Sequence, residues 1–348
     1  MLNEPQRPNR DDEIELFDLM QGIWRQRLWV GLVATPIVAA GVAYALLATP
    51  VYEARLFVEP PSQNDIAQLN FGRGGDSGLS YLTVKDVYDI HLQALQSEGV
   101  RYAFFRDVYL PSLSEESRKG SRDSLYGEFA NLLTVAPAGK GSSTRYTVTA
   151  SVADPQQAAK WVVAYNELAA DNAKHEVLES NRSDMLVKAD NLQMQIDAQK
   201  ASARREREDS IAQLKEALLV AKSIGLEKPP VISQPLTDEV SAAMGGALTY
   251  MRGSKALESE IANLEARASD EPFIRGLRPL QEKVTFYRNL KIDPSSINVF
   301  EQDGAVELPD RPVKPKRALI VVLSAVLGLG AGALFAFGRD LWIRRRPS

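Results

Sequence analysis

The residues of this chain that could carry out chemistry are few, and their spacing fits neither a nucleotide-binding nor a metalloenzyme motif. The string GKGSS at Gly139–Ser143 comes nearest to a phosphate-binding loop. It fails the motif G-x-x-x-x-G-K-[ST] because Gly141 follows the lysine and Thr134 stands in the place of the first glycine. The two histidines, His91 and His175, offer no metal-ligand spacing, because an H-E-x-x-H zinc site needs two histidines four residues apart. We therefore predict a hairpin loop at Gly139–Ser143, and we expect no catalytic residue, no metal site and no cofactor.

The composition narrows the classes of protein to consider. The chain has 348 residues, enough for two or three domains, and a formal net charge of −4. A mildly acidic chain gives no reason to expect nucleic acid as a partner, since nucleic-acid binding usually needs a basic face. The absence of cysteine excludes disulfides, thiolate metal sites and thiol nucleophiles. The hydrolase pentapeptide G-x-S-x-G is absent as well, so the sequence favours scaffolding or binding over catalysis.

Two apolar segments frame the otherwise polar chain. Residues 28–48 and 318–338 are each 21 residues long and carry no charge. As helices they would be about 31 Å long, which matches the hydrocarbon thickness of a bilayer. A cleaved signal peptide is a poor alternative for the first, because its apolar run is too long and 27 residues precede it. A buried core helix is a poor alternative for the second, because Arg344–Arg346 follow it. We predict a transmembrane helix at each segment.

The basic residues around the first segment predict the orientation of the chain. Arg7, Arg10, Arg25 and Arg27 precede it, whereas only Arg55 lies close behind it. An excess of arginine marks the cytoplasmic side, so residues 1–27 are expected in the cytoplasm. Two spans then return residues 339–348 to the cytoplasm and leave residues 49–317 on the opposite side. The second segment does not decide the orientation, because four basic residues lie on each side of it.

Both apolar segments carry a small residue at every fourth position. Such rows allow two helix backbones to approach closely in a membrane. We predict that the rows mediate helix–helix packing, within one subunit or between subunits. The predicted packing residues are Gly31, Thr35, Ala39 and Ala43 in the first segment, and Ser324, Gly328, Gly332 and Ala336 in the second.

The part between the two segments reads as an α/β base interrupted by a long helical excursion. The base is assigned to residues 49–153 and 292–317. Its predicted strands are residues 50–60, two strands within residues 132–152, and residues 297–308, while residues 84–108 have helical spacing with a break near Gly99. The glycine-rich string Phe71–Ser80 is predicted to be a flexible loop.

The excursion covers residues 154–291 and begins with an unusually long helix. Asp154 and Pro155 form a helix start, and neither proline nor glycine follows until Gly225. The sequence alone is compatible with one continuous helix or with a helix broken near Asn172 or Asn181. The helix is too polar to be stable alone, so we expect other copies of the chain and a returning helix as its partners. Apolar residues recur along it at Leu178, Met185 and Leu192, and the return is predicted at residues 253–268 and 277–291.

The ordered set of these segments resembles the Wzz-type polysaccharide co-polymerases over nearly the whole chain. The proline-rich approach to the second apolar segment is the strongest local match, and Pro309, Pro312 and Pro315 are expected to form a stiff, extended connection there. Gly253 lies in another matching block and is taken as structural. The matching blocks are residues 11–27, 52–60, 154–169, 250–261 and 311–332.

The resemblance implies a fold and a function. The fold is an α+β membrane protein, in which two transmembrane helices flank a periplasmic α/β base that bears a long helical protrusion. The function is non-catalytic control of the modal chain length of O-antigen, by a homo-oligomer in the bacterial inner membrane. The implied partners are other copies of the chain, an integral-membrane O-antigen polymerase and the lipid bilayer, with the growing polysaccharide as a further candidate.

Three other classes of protein fit this sequence less well. A two-span sensor would need a cytoplasmic signalling module after the second segment. An efflux adaptor would generally have a single membrane anchor. The capsule-type branch of the family carries a nucleotide-binding kinase domain, and this sequence has no motif for one. We therefore expect a length regulator without enzymatic activity.

Overall fold

The computed structural model describes residues 26–139, 144–230, 246 and 248–344, and its chain divides into two compact units. The first unit contains residues up to 63, residues 84–174 and residues from 298 onward, and the second contains residues 64–83 and 175–297. The predicted cytoplasmic segment 1–27, the hairpin loop Gly139–Ser143 and the end of the predicted tail fall wholly or mostly outside the described residues. The boundaries predicted for base and protrusion stay predictions.

The first unit contains a four-stranded antiparallel sheet. Its strands are β1 (Tyr52–Glu59), β2 (Leu133–Pro137), β3 (Tyr146–Val152) and β4 (Glu301–Gln302), in the order β2-β3-β1-β4. The chain thus pairs strands from both ends of the predicted base, as expected. The length predicted for the last strand is wrong, because only two of its residues pair with β1 and Gly304 turns the chain away at a φ of 79°.

Three helices and an aromatic cluster complete the core of the first unit. The helices are α2 (Val84–Gln96), α3 (Glu98–Phe104) and α4 (Arg122–Leu132), and α3 continues through a π-helical turn at Phe105–Tyr109 and a last turn at Leu110–Ser112. The predicted helix break lies at Ser97, two residues before Gly99. Phe104 packs edge-to-face against Trp161 and Tyr165, and Tyr109 packs tilted against Phe129. The buried members of this cluster are Phe104, Phe105, Tyr109, Phe129, Trp161 and Tyr165.

Helix α5 (Pro155–Ser223) is continuous over 69 residues, so neither Asn172 nor Asn181 breaks it. Its start is capped by Asp154, whose Oδ1 accepts a hydrogen bond from the backbone N–H of Gln156 at 2.9 Å. Its end is a Schellman motif. Gly225 has a φ of 70° and donates its N–H to the Lys222 carbonyl, while Leu226 donates to the Ala221 carbonyl at 2.9 Å. Both caps were readable from the sequence.

The second unit packs the later part of α5 against two returning helices, α6 (Ser254–Ala266) and α7 (Leu277–Asn289). Met185 and Leu192 lie in one apolar cluster with residues of α7, including Val284. Leu214 lies in a second cluster with residues of α6, including Leu257. Met185, Leu192 and Leu214 are therefore covered by the return of the same chain, which was one of the two partners expected for the long helix.

Ion pairs stabilise residues 197–210 of α5, a stretch with no apolar side chain larger than alanine. Lys200 Nζ lies 2.5 Å from Glu271 Oε1, and Arg207 Nε lies 3.1 Å from Asp270 Oδ2. Arg207 also donates through Nη1 to the Leu264 carbonyl at 2.9 Å. The returning segment thus provides acidic partners for Lys200 and Arg207 of the long helix.

The glycine-rich string Phe71–Ser80 is anchored, contrary to its prediction as a flexible loop. Arg73 is buried, lies 2.5 Å from Asp184 Oδ2 through Nη2, and donates through Nη1 to the Ser80 carbonyl. Tyr287 donates its hydroxyl to the Gly72 carbonyl at 3.3 Å. A buried guanidinium with fixed partners holds a loop that its glycines alone would leave free. The remaining short 3₁₀ turns are Ala67–Asn70, Gly75–Ser77, Ser117–Lys119, Thr249–Arg252, Glu271–Phe273 and Pro294–Ser296.

Candidate functional site

The two apolar segments form helices that pack against each other in the first unit. They are α1 (Arg27–Leu47) and α8 (Arg317–Arg344), and each contains a predicted segment almost completely. Both are long and apolar enough to cross a membrane, by length and composition. Most of their large apolar side chains are exposed, as with Leu32 and Leu327 at 65% each. This is the distribution expected of helices whose outer faces meet lipid.

Glycines of α8 bring the two helix backbones together. A methyl group placed at Gly332 would lie 2.7 Å from the Val30 carbonyl oxygen, and one at Gly328 would lie 3.1 Å from the Ala34 carbonyl oxygen. Neither position can hold a side chain without moving α1. The structure buries all four small residues predicted for this helix, which are Ser324, Gly328, Gly332 and Ala336.

The small residues predicted in α1 lie on a different face from the one that contacts α8. Gly31, Thr35, Ala39 and Ala43 are all exposed, and Thr35 Oγ1 donates to the Gly31 carbonyl of its own helix at 2.7 Å. The glycine of α1 that lies against α8 is Gly41, which faces Ser324. A contact between copies of the chain through the exposed row stays a prediction.

The proline-rich connection leads from the sheet to α8. Val51 pairs with Lys314 in an antiparallel bridge, donating to its carbonyl at 3.0 Å, and Val313 donates back to the Val51 carbonyl at 2.8 Å. Pro309, Pro312 and Pro315 flank this bridge, and none of them lies in a helix or strand. The role of these prolines as a stiff connection stays a prediction.

Gly253 directly precedes α6 and lies close to Glu227 and Lys228, which follow the end of α5. Its φ of 83° and ψ of 153° are adopted almost only by glycine. A methyl group there would lie 2.8 Å from both the Glu227 carbonyl oxygen and the Lys228 Cα. The close approach lets Ser254 donate its N–H to the Leu226 carbonyl at 2.9 Å, which satisfies one free donor of the α6 N-terminus.

His91, one of the two histidines of the chain, is completely buried in the first unit. Its ring stacks on Phe300 at a centroid distance of 4.8 Å, and neither ring nitrogen meets a hydrogen-bond partner among the described residues. Burial lowers the pKa of His91 to about 4, and the neighbouring Asn166 amide offsets only part of that effect. The structure therefore gives His91 a packing role in the core of the first unit.

This burial predicts acid sensitivity of the first unit. The folded-state pKa of His91 lies below the usual histidine value of 6.5, so its contribution to stability is complete above pH 6.5 and is lost as the pH falls toward 4. We expect its share of the free energy of unfolding to fall by about 2 kcal/mol between pH 7 and pH 5. The measurement is urea unfolding at both pH values, followed by tryptophan fluorescence, to which Trp161 of the first unit contributes.

The two histidines of the chain provide a matched comparison for this prediction. His91→Gln cannot titrate and should flatten the pH dependence, whereas His175→Gln changes an exposed residue and should leave it as in the wild type. An equal slope in wild type and His91→Gln would contradict the prediction.

Comparison with known proteins finds matches over most of the chain. The family model for Wzz, a chain length determinant protein, matches residues 12–108, and a model for a G-rich domain on putative tyrosine kinases matches residues 296–341. A chain length determinant protein of Escherichia coli is 23% identical over 338 residues, covering 94% of this chain and 93% of its own length.

Solved structures show the same fold. A full-length bacterial polysaccharide co-polymerase superposes with a TM-score of 0.69 at 21% identity, over 96% of this chain and 100% of its own. The wild-type lipopolysaccharide O-antigen chain-length regulator of Shigella flexneri reaches 0.54 at 19% identity, over 75% of this chain and 99% of its own. The resemblance predicted from the sequence is confirmed: the chain is similar to chain length determinant proteins over most of its length, and its fold is like that of a polysaccharide co-polymerase of known structure.

Proposed function

We propose that this chain regulates the modal length of O-antigen as a non-catalytic polysaccharide co-polymerase. The observation that carries the proposal is the end-to-end match to a relative named a chain length determinant, at 94% of this chain. A fold like that of a full-length co-polymerase supports it over 96% of the chain. The absence from the sequence of P-loop, zinc-protease and hydrolase motifs agrees with a role that needs no catalysis.

The proposed location is the bacterial inner membrane. Helices α1 and α8 span it, residues 1–27 and 339–348 lie in the cytoplasm, and residues 49–317 lie in the periplasm. The arginines before α1 support this orientation, because basic residues accumulate on the cytoplasmic side of a span.

The proposed partners are other copies of the chain, the membrane polymerase and the surrounding lipid. Two surfaces favour association between copies. Helix α5 exposes Leu186, Val187 and Met194 at 40%, 57% and 63%, on a side that α6 and α7 do not cover. Helix α1 exposes its row of small residues away from α8. Exposed apolar side chains at helical spacing are suited to contacts between helices of neighbouring subunits.

Deletion of the gene tests the proposed function. Without a length regulator, each addition of a repeat unit competes with termination at a constant probability, so the abundance of chains should fall steadily with length. We therefore expect the modal cluster in a gel of surface polysaccharide to disappear in the deletion strain and to return when the gene is supplied on a plasmid. A ladder unchanged by the deletion would refute length control.

A further inference from the structure

The second unit contains a polar cleft of about 400 Å³ between α5 and the segment that includes α6 and Phe273. Three guanidinium groups and two carboxylates line it in fixed pairs. Arg207 lies 3.1 Å from Asp270, Arg267 lies 3.5 Å from the same carboxylate, and Arg252 lies 2.5 Å from Glu260. Arg207 and Asp270 are largely buried, at 19% and 12% side-chain exposure. These polar groups are therefore held in place before any ligand arrives.

The charge of the cleft limits the chemistry of its ligand. Its lining includes three arginines and three acidic residues, the sixth charged residue being Glu206, so the formal charges cancel. A polyanion such as nucleic acid would need an excess of positive charge. An acyl chain would need an apolar lining. A ligand with many neutral groups that both donate and accept hydrogen bonds fits this pattern, because guanidinium groups only donate and carboxylates only accept.

An aromatic ring beside the paired charges narrows the class of ligand further. The Arg267 guanidinium carbon lies 3.8 Å from the centroid of the Phe273 ring and covers one face of it. Phe273 is nevertheless 64% exposed and lines the cleft, so ring surface is available to a ligand. An aromatic face carries partial negative charge and attracts the C–H groups on the face of a pyranose ring.

We propose that this cleft binds a segment of a neutral oligosaccharide, namely the growing glycan whose length the chain regulates. The proposal rests on the proposed function and adds to it that the glycan is contacted directly. Hydroxyl groups of the sugar would accept hydrogen bonds from Arg207 and Arg252 and donate them to Glu260, while a sugar ring lies against Phe273.

Binding to purified full-length protein tests the site. The probe is O-polysaccharide released by mild acid from the lipopolysaccharide of the strain that encodes the chain, titrated calorimetrically into protein in nanodiscs. We expect Phe273→Ala to bind about fivefold more weakly than the wild type, through loss of the ring contact. Phe71→Ala removes a ring of similar exposure, 62%, in the same unit but outside the cleft, and should bind as the wild type does. Equal affinity of Phe273→Ala and wild type, or no binding by the wild type, would overturn the proposal.

A second variant allows the binding site to be tested separately from the proposed length control. Ser210→Tyr fills the cleft from an exposed position of α5 without removing a charge, and should lower both the affinity for the polysaccharide and the modal chain length in cells. An unchanged melting temperature shows that the variant folds. If deletion of the gene abolishes the modal cluster while Ser210→Tyr and Phe273→Ala leave affinity and modal length unchanged, the site is refuted and length control stands. If deletion changes nothing, length control itself fails.

Discussion

Leucine at both Gly328 and Gly332 is expected to force α8 away from α1 and to abolish length control. The carbonyl oxygens of Ala34 and Val30 lie 3.1 and 2.7 Å from where the first side-chain carbon would stand, so a leucine cannot fit without separating the helices. Overpacking of this kind costs about 1–3 kcal/mol at each site, and close backbone packing is what holds helices together in lipid. The measurements are the melting temperature in detergent, the yield of cross-linked oligomer in membranes, and the modal length of the polysaccharide.

Two other glycines of α8 provide the control for this variant. No neighbouring element in the described part of the chain lies within 4 Å of a methyl group placed at Gly330 or Gly338. The double variant Gly330→Leu with Gly338→Leu therefore adds the same bulk to the lipid-facing side and should behave as the wild type. If the two double variants lose stability equally, added bulk rather than helix contact is responsible. Gly31→Leu then probes the exposed row of α1, because a fall in cross-linking alone would indicate a contact between copies.

Much of the secondary structure was readable from local signals. The first strand was predicted at residues 50–60 and forms at Tyr52–Glu59, because its alternating apolar residues suit a sheet with one buried face. The long helix begins at the cap formed by Asp154 and ends at Gly225, both of which act through hydrogen bonds to backbone within a few residues. Such signals need no knowledge of the rest of the fold.

The face of α1 that contacts α8 could not be predicted from local sequence signals. The helix is apolar on all sides, so no contrast between polar and apolar residues marks an inner face. Its small residues form more than one row, and the row through Gly31 is more regular in spacing than the positions that pack, Ala34, Gly41 and Ala45. The only available signal was that Gly41 lies seven residues, or two turns, after Ala34.

The partners of the polar residues also could not be predicted from the sequence. Arg207 and Asp270 are 63 positions apart, and nothing local relates them until the chain returns through α6. The charged stretch of α5 therefore gave no sign of these partners, although some of its residues pair within the chain and line the cleft. Likewise, the position of His91 in a helix did not reveal that the residue is buried against Phe300.

Alanine at Gly253 is expected to detach the start of α6 from the end of α5. The backbone conformation at this residue costs about 1–3 kcal/mol for any residue with a side chain. The added methyl group would also lie 2.8 Å from the Glu227 carbonyl oxygen and the Lys228 Cα, which cannot move independently of the backbone. A combined cost of about 3 kcal/mol corresponds to roughly hundredfold faster local opening, measured as hydrogen exchange of the amides in α6.

The control for Gly253→Ala lies in the same unit. Gly276 precedes α7 with a φ of 74° and a ψ of 4°, a left-handed conformation that costs a residue with a side chain only about 1 kcal/mol. No described neighbour lies within 4 Å of a methyl group placed there. Gly276→Ala should therefore leave exchange in α6 unchanged and raise it modestly in α7. Equal exchange of α6 in Gly253→Ala and wild type would mean that the backbone contact with Glu227 and Lys228 does not hold α6 in place. Faster exchange confined to α6 would instead identify Gly253 as the residue that joins the long helix to its return.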